Sequence, residues 1–244
     1  MKNLLFIALG LLTLSSCTEL TSVLEDVVTI EDVAETSALS NEEVIAGLKQ
    51  ALDKGAELAV GETSKVDGFF KNDLLFIAFP EDAIKVKEKA LEFGLDNQVE
   101  KFEMTLNRAA ENACAEALPI FIDAVAGMSI QDGFAILNGA DNAATAYLKD
   151  KTSSQLTAAF SPVIDQAIED VELTKFWEPL ISNYNTVTIL TGGEEINPDL
   201  NSYINDKAMD GLFHYIEIEE KNIRENPQAR VTELLERVFG SLGN

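Results

Sequence analysis

Apolar residues recur at helical spacing along most of the chain, and the pattern is densest at 119–150. There Phe121, Ala124, Val125 and Met128 continue a stripe begun one residue earlier, with the one-and-three spacing of a helix face. Short turns at its glycines divide the stretch into three helices. The pattern predicts the buried centre of an all-helical domain, a packed core hairpin rather than a ligand pocket, with the other helices laid around it.

Capping residues mark the ends of the predicted helices. Ser40 and Ser129 each precede an acidic residue by three positions, as in a capping box, and Asp96 and Asp141 are expected to cap two further helices. Gly139 is expected to end a helix with positive φ. The remaining helices are predicted at 40–60, 80–94, 96–118, 153–169, 176–183 and 197–225, with a last amphipathic helix after 227. Only the run at 186–190 is typical of a β-strand, and it is too isolated to build a sheet.

Composition agrees with a helical fold. Apolar residues make up 46% of the 244 positions, enough for a real core, and there are only six prolines and few β-branched runs. The chain shows no internal repeat and no second domain. The predicted fold is therefore all-α, one multi-helix bundle-like domain at 40–240.

Acidic residues outnumber basic ones 42 to 18, which gives a formal net charge of −24. Such a surface repels phosphate backbones, so nucleic acid is excluded as a partner. The charge is interpreted first as a means of solubility. Binding of a cation or a basic partner is the alternative, and charge alone does not select it.

The N-terminus predicts a compartment. Residues 1–16 combine a basic start, an apolar run too short to span a bilayer and the small residues of a lipobox, which ends at Cys17. We expect a signal peptide cleaved before Cys17, a lipid on that cysteine, and an acidic tether at 17–39. Thr18 after the cysteine favours the outer membrane, facing the periplasm. The alternative is an ordinary secreted protein with Cys17 free.

Residues suited to catalysis are few. The single histidine, His214, lies between aromatic residues and excludes multi-histidine metal sites. Cys114, the only other cysteine, is interpreted as a small buried residue because no basic neighbour in the sequence would lower its pKa. No phosphate-binding loop, calcium loop or nucleophile elbow is present. We therefore expect no catalytic residue, no metal and no cofactor.

Seven polar residues beside apolar stripes form the candidate polar cluster. Arg108 and Glu111, three residues apart, could pair at the surface, or Arg108 could be held toward a cleft. Buried ion pairs that fix helix register are favoured over a functional site, since structural networks also perturb charges. The cluster comprises Arg108, Glu111, Asp132, Tyr147, Lys207, Asp210 and Arg224.

Several short motifs together resemble a bacterial domain-of-unknown-function family, number 4197. They are 107–111 (NRAAE), 119–121 (PIF), 136–139 (ILNG), 143–147 (AATAY), 207–213 (KAMDGLF), 223–230 (IRENPQAR) and 238–240 (VFG). The resemblance covers roughly 39–240. It implies a secreted or lipid-anchored helical protein of Gram-negative bacteria, and no activity, cofactor or catalytic residue.

Three functions are weighed. The first is a non-enzymatic binding or scaffolding module of the envelope, attached to the membrane by its lipid and recognising an unknown envelope protein or small molecule. The second is a binder of a lipid or metabolite in an interhelical cleft of about 300 Å³ or more. That cleft is expected beside Phe134, Tyr147, Phe213 and Tyr215, with Arg108 as an anion anchor. An unrecognised hydrolase is least favoured.

Overall fold

The computed structural model describes residues 39–169, 177–191, 195–197 and 199–226, and then positions 229, 232, 234 and 236–238. The predicted signal peptide, the lipidation site Cys17 and the tether up to residue 38 lie outside the described residues, as do parts of the last predicted helix. All of the described helices belong to the unit Ser40–Asn244.

Every regular element in the described part of the chain is helical, which confirms the all-α prediction. Four helices are long and four are short. The long ones are α1 (Asn41–Ser64), α3 (Asp96–Cys114), α6 (Ala143–Glu169) and α8 (Leu200–Glu225). The short ones are α2 (Ile84–Glu92), which follows a 3₁₀ turn at Glu81–Ala83, α4 (Ala117–Ala126), α5 (Ile130–Leu137) and α7 (Trp177–Thr191).

The four long helices form the core. Helix α8 packs against α1, α3 and α6, and α6 packs against α3. Phe102 and Leu106 of α3, Leu148 and Leu156 of α6 and Leu212 of α8 are fully buried. Each side chain of this kind stabilises the fold by about 1.5–3 kcal/mol when it leaves water.

The apolar residues at 119–150 are mostly buried or half-buried, as predicted, but the other helices do not pack around this stretch. It supplies most of α4, all of α5 and the first turns of α6, and α4 and α5 pack against α1 and α6. Phe121 and Leu148 are buried as expected, but Ile120 is half-buried and Ile130 is 46% exposed. Helices of ten and eight residues offer too little surface to contact many neighbours, so the long helices take the central position.

The predicted capping boxes are confirmed. In both, the serine hydroxyl accepts a hydrogen bond from the backbone N–H three residues later, and the acidic side chain accepts one from the serine N–H: Ser40 with Glu43, and Ser129 with Asp132. Asp96 lies inside the first turn of α3 rather than at its cap. In that position its charge still faces the positive end of the helix dipole.

The predictions for glycines at helix ends are correct at Gly94 and wrong at Gly139 and Gly61. Gly94 follows α2 with a φ of 74°, as the predicted helix end requires. Gly139 does not have positive φ; instead a Cβ at Gly139 would lie 2.7 Å from Cβ of Ala143, so close packing selects the glycine. Gly61 does not end α1, which continues to Ser64, because one exposed glycine costs a helix only about 1 kcal/mol.

The β-like run at 186–190 lies within helix α7, so that expectation is wrong. A lone β-prone run has no neighbouring strand for its backbone groups, whereas a helix pairs its own. Ile189 and Leu190 are 60% and 82% exposed, so burial does not determine their conformation. Helix α7 thus continues well past its predicted end at 183.

Two further boundaries differ from the prediction. The helix predicted at 96–118 divides at Ala115–Glu116 into α3 and α4. Two predicted helices merge into α6, which continues through Pro162. No single described helix is both long and apolar enough to cross a membrane; the bent combination of Asp96–Ala126 and Ile130–Leu137, at 106°, meets the criteria of length and composition.

Candidate functional site

Glu111, a predicted site residue, is a buried carboxylate that holds a loop against α3. Its side chain is 3% exposed, and one oxygen accepts hydrogen bonds from the backbone N–H groups of Phe69 and Phe70 at 3.0 and 3.1 Å. The loop, residues 65–80, connects α1 to the 3₁₀ turn before α2. The carboxylate thereby supplies an acceptor for two backbone donors, one of them fully inside the protein.

Arg108 neutralises this carboxylate. Its guanidinium donates to the second oxygen of Glu111 and to Asp67, both at 2.5 Å, and lies 5.5 Å from the ring centroid of Phe70. Hydrogen bonds from Lys71 and Arg108 lower the pKa of the Asp67 carboxyl. Arg108 therefore has two carboxylate partners at the loop, and its predicted alternative role as an anchor in a cleft is not what the geometry supports.

Two more residues of α3 extend the same contact. Asn107 donates to the carbonyl of Ile77 and accepts from the N–H of Ile77, both at 2.8 Å. Glu103 accepts from the N–H of Phe79 at 3.1 Å and from Lys87 at 2.6 Å. The loop clamp is defined as Glu103, Asn107, Arg108 and Glu111.

A second buried carboxylate, Glu220 of α8, lies outside the predicted set. It accepts hydrogen bonds from the N–H groups of Ala144 and Thr145 at 2.9 and 2.8 Å, and from the Thr145 hydroxyl at 2.7 Å. Arg224 donates to Glu220 at 2.8 and 3.0 Å and to the carbonyl of Ile136 at 3.1 Å. Glu220 thus caps the positive end of α6, where a carboxylate is favoured. We name Glu220 and Arg224 the helix clamp.

A sequence signal for Glu220 was present. A glutamate four residues before an arginine on one helix is a favourable pair, and Glu220 precedes Arg224 by four. The apolar neighbours Ile216 and Ile223 mark the same face of α8 as buried. The spacing does not reveal that the Glu220 carboxylate contacts the first turn of α6.

Asp132 and Tyr147 lie near each other but have separate roles. Hydrogen bonds from the hydroxyl and backbone of Ser129 lower the pKa of the Asp132 carboxyl. Burial, and after it the charge of Asp132, raises the pKa of Tyr147, whose ring lies 5.8 Å from the ammonium of Lys151. Asp132 therefore belongs to the cap of α5, whereas Tyr147 lies on α6.

Lys207 and Asp210 are exposed on α8, with the Lys207 ammonium 5.8 Å from the ring of Tyr203. The loop 65–80 contacts α8 at Tyr215, whose hydroxyl accepts a hydrogen bond from Asn72 at 3.0 Å. Arg224 of the helix clamp lies nine residues further along α8, about 14 Å away at the helical rise. The seven predicted residues therefore occupy separate places and do not converge on one site.

Groups with nucleophilic potential are poorly placed for chemistry. Burial raises the pKa of the Cys114 thiol to about 12, so very little thiolate exists at neutral pH, and the prediction of a small buried residue is confirmed. His214 is exposed, and its ring contacts that of Tyr215 at 6.1 Å. In the described part of the chain no three His, Cys, Asp or Glu side chains are grouped to hold a metal.

A cleft of about 690 Å³ lies between α2, the start of α3 and α7. Val86 and Phe93 line the side of α2, and Leu95 and Val99 line the side of α3. Helix α2 contains no buried residue, and Phe93 is 79% exposed at the mouth. The walls are thus largely apolar and accessible, in the size range of ligand pockets.

An aromatic cluster forms the inner end of this cleft. Phe79, Phe102 and Trp177 lie with ring centroids 4.8 to 5.5 Å apart, and Trp177 is 2% exposed. Trp177 is the only tryptophan of the chain. Since Phe79 and Trp177 line the cleft, the cluster offers rigid apolar surface to a molecule that enters.

The cleft is not where the sequence predicted it. None of Phe134, Tyr147, Phe213 and Tyr215 lines it. Phe213 is buried and packs edge-on against Phe121 of α4, with ring centroids 5.8 Å apart. The overlooked signal was the group of apolar residues at 91–95, where α2 ends: Leu91, Phe93 and Leu95 remain exposed because so short a helix contacts few neighbours.

Two other cavities are weaker candidates for a ligand-binding site. One of about 30 Å³ beside the helix clamp has room for about one water molecule. A polar hollow of about 370 Å³ lies between α6 and α8, where Asn201 and Asn205 donate to carbonyls of α6. Those amides hold two helices together.

Comparison with known proteins gives one result. The family model described as "Protein of unknown function (DUF4197)" matches residues 38–240. Comparison with curated proteins and with solved structures finds no match.

Proposed function

The chain belongs to the DUF4197 family of proteins of unknown function, and on that premise we propose that it is a lipid-anchored envelope protein that binds a small apolar molecule. The binding site is the cleft between α2, α3 and α7. The observation that carries this proposal is the accessible, largely apolar volume of about 690 Å³, whose lining includes the buried rings of Phe79 and Trp177.

Binding is favoured over pure scaffolding because a scaffold needs no such volume. It is favoured over catalysis because the two groups with the clearest nucleophilic or basic potential are unsuitable: Cys114 is buried with a high pKa, and His214 lies outside the cleft lining. The cleft lining instead supplies aromatic and aliphatic surface, which is what recognition of an apolar ligand requires.

Anchoring at Cys17 supports the same role. The order of a basic start, apolar run, small residues and cysteine at 1–17 is that of a lipoprotein signal, and the charge of −24 suits a domain held in solvent beside a membrane. The location proposed is the outer membrane, facing the periplasm. Labelling with radioactive palmitate and cell fractionation test it: we expect label in the membrane fraction and none after Cys17→Ser. Equal labelling of both proteins would overturn the anchor.

Trp177 provides a direct test of binding. Titration of the purified chain with the neutral fluorophore N-phenyl-1-naphthylamine should quench Trp177 emission and enhance that of the probe, since both would lie in the cleft. Ala90→Phe, on the cleft wall, should abolish the signal by filling the volume. The control Ala158→Phe, at an exposed position of α6, should leave it unchanged. No response in the parent chain would contradict the proposal.

A further inference from the structure

Four charged residues line the otherwise apolar cleft, all on α2. Two of them, Lys89 and Glu92, form an ion pair at 2.6 Å. The other two, Lys85 and Glu88, have the same spacing of three residues, yet neither forms an ion pair with a described side chain. The wall of the cleft thus presents one cation and one anion that are left open to a ligand.

The charge of the wall as a whole is balanced, because Lys85 and Lys89 offset Glu88 and Glu92. The rest of the chain is strongly acidic, with a net charge of −24, and its long-range field opposes the approach of a net anion. A net cation is attracted by acidic residues all over the surface, which gives it no preference for this site. A neutral molecule carrying both charges avoids the repulsion and still engages Lys85 and Glu88.

The apolar wall indicates the other half of the ligand. Val86, Ala90 and Phe93 follow one another at helical spacing on α2, over about 10 Å, and Leu95 and Val99 continue the surface on α3. These residues form an elongated apolar strip, and Lys85 and Glu88 line the same cleft. An unbranched alkyl chain attached to a small polar head matches that arrangement.

Resting on the proposed binding function, we infer that the ligand is a single-chain zwitterionic amphiphile. Its anionic group, a phosphate or similar oxyanion, contacts Lys85, and its ammonium group contacts Glu88. Its alkyl chain lies along the strip toward Phe79 and Trp177.

A head-group series on the parent chain tests this inference without any mutation. The probes are decylphosphocholine, decyl phosphate, decyltrimethylammonium and 1-decanol, each below its micelle concentration, and Trp177 emission reports binding. We expect decylphosphocholine to bind about tenfold more tightly than 1-decanol, from two exposed charge contacts of about threefold each. Decyl phosphate should bind more weakly than the zwitterion.

Matched variants test whether the head group of the ligand contacts Lys85 and Glu88. Lys85→Gln and Glu88→Gln should each weaken decylphosphocholine binding about threefold and leave 1-decanol binding unchanged. The controls Lys101→Gln and Glu100→Gln change the same charges at exposed positions of α3 outside the cleft lining and should have no effect. Circular dichroism checks that each variant is folded.

The outcomes separate the two proposals. If no decyl probe changes Trp177 emission, the binding function itself is wrong. If all four probes bind equally, or if Lys85→Gln and Glu88→Gln behave as their controls, the cleft binds apolar chains without recognising the head group. The inference of a zwitterionic ligand would then be wrong. Tightest binding of decyl phosphate or of decyltrimethylammonium would also overturn it.

Discussion

In the helix clamp both oxygens of Glu220 accept hydrogen bonds, whereas in the cleft the side chain of Phe93 is 79% exposed. In both regions the sequence pattern suggests the opposite of the burial that is observed. In the sequence the charged residues of the clamps resemble a functional site, but in the structure they are enclosed and paired. The apolar residues of α2 resemble a core stripe, but they remain accessible.

This difference assigns a structural role to the clamps and a binding role to the cleft. A buried carboxylate that accepts two backbone N–H groups and an arginine has little capacity left for a ligand, so the clamps fix the position of a loop and a helix. An open apolar surface keeps an unfavourable contact with water that a ligand can remove. Clamp substitutions should therefore change stability, and cleft substitutions should change binding.

The largest effect is expected from Glu220→Ala. It removes the acceptor of the Ala144 and Thr145 N–H groups and leaves Arg224 in a mostly buried position without its carboxylate, so unfolding should become easier by about 3–5 kcal/mol. Urea denaturation measures this. Glu217→Ala, an exposed change on the same helix, should stay within about 0.5 kcal/mol. A small loss for Glu220→Ala would show that the clamp is not structural.

The two clamps should differ in sensitivity at their arginines. Arg224 is 16% exposed and Arg108 is 33% exposed, so water screens the second pair more. We expect Arg224→Ala to cost about 3 kcal/mol and Arg108→Ala about 1 kcal/mol in thermal or urea unfolding. Probe binding in the cleft should survive both substitutions under folding conditions, and the reverse order of the two costs would contradict the burial argument.

Gly211→Ala should destabilise by about 1–3 kcal/mol. A Cβ at Gly211 would lie 2.8 Å from two ring atoms of Phe69, which is fully buried and cannot move aside cheaply. Gly61→Ala is the matched control, since a Cβ at Gly61 meets nothing within 4 Å. That control should stabilise α1 by about 0.5–1 kcal/mol, and equal behaviour of the two variants would show that the loop is not packed on α8.

The smallest effect concerns the cap of α5. The pKa of Asp132 in the folded chain lies below its ordinary value of 3.8 because Ser129 donates to it. The stabilisation is therefore complete above pH 3.8 and is lost as the pH falls through the lowered pKa. Ser129→Ala should raise the pKa of Asp132, as measured by NMR titration of its carboxyl. An unchanged pKa would show that the hydroxyl is not its partner.

Local signals in the sequence were good predictors where a few neighbouring residues decide the outcome. The capping boxes at Ser40 and Ser129 and the end of α2 at Gly94 depend on atoms within one helical turn. The β-like run at 186–190 failed for the opposite reason, because β preference depends on a partner strand that the described fold does not contain.

The candidate site shows the same division. Arg108 and Glu111 were recognisable as a pair from a spacing of three residues, and they do pair. Their partners Asp67, Phe69 and Phe70 are some forty residues away in the chain, and no periodicity connects them. The open cleft was not predicted for a related reason: the apolar residues at 91–95 are visible in the sequence, but an apolar stripe indicates burial without saying whether a partner covers it.

Sequence by itself determined the helical class, the capped helix starts and the buried thiol, because each follows from spacing or composition. Tertiary structure alone decided which helices are central, which carboxylates are enclosed, and that α2 keeps its apolar side open above Phe79 and Trp177. The physical reason is that enclosure depends on contacts between residues distant in the chain, and these exist only once the long helices have packed.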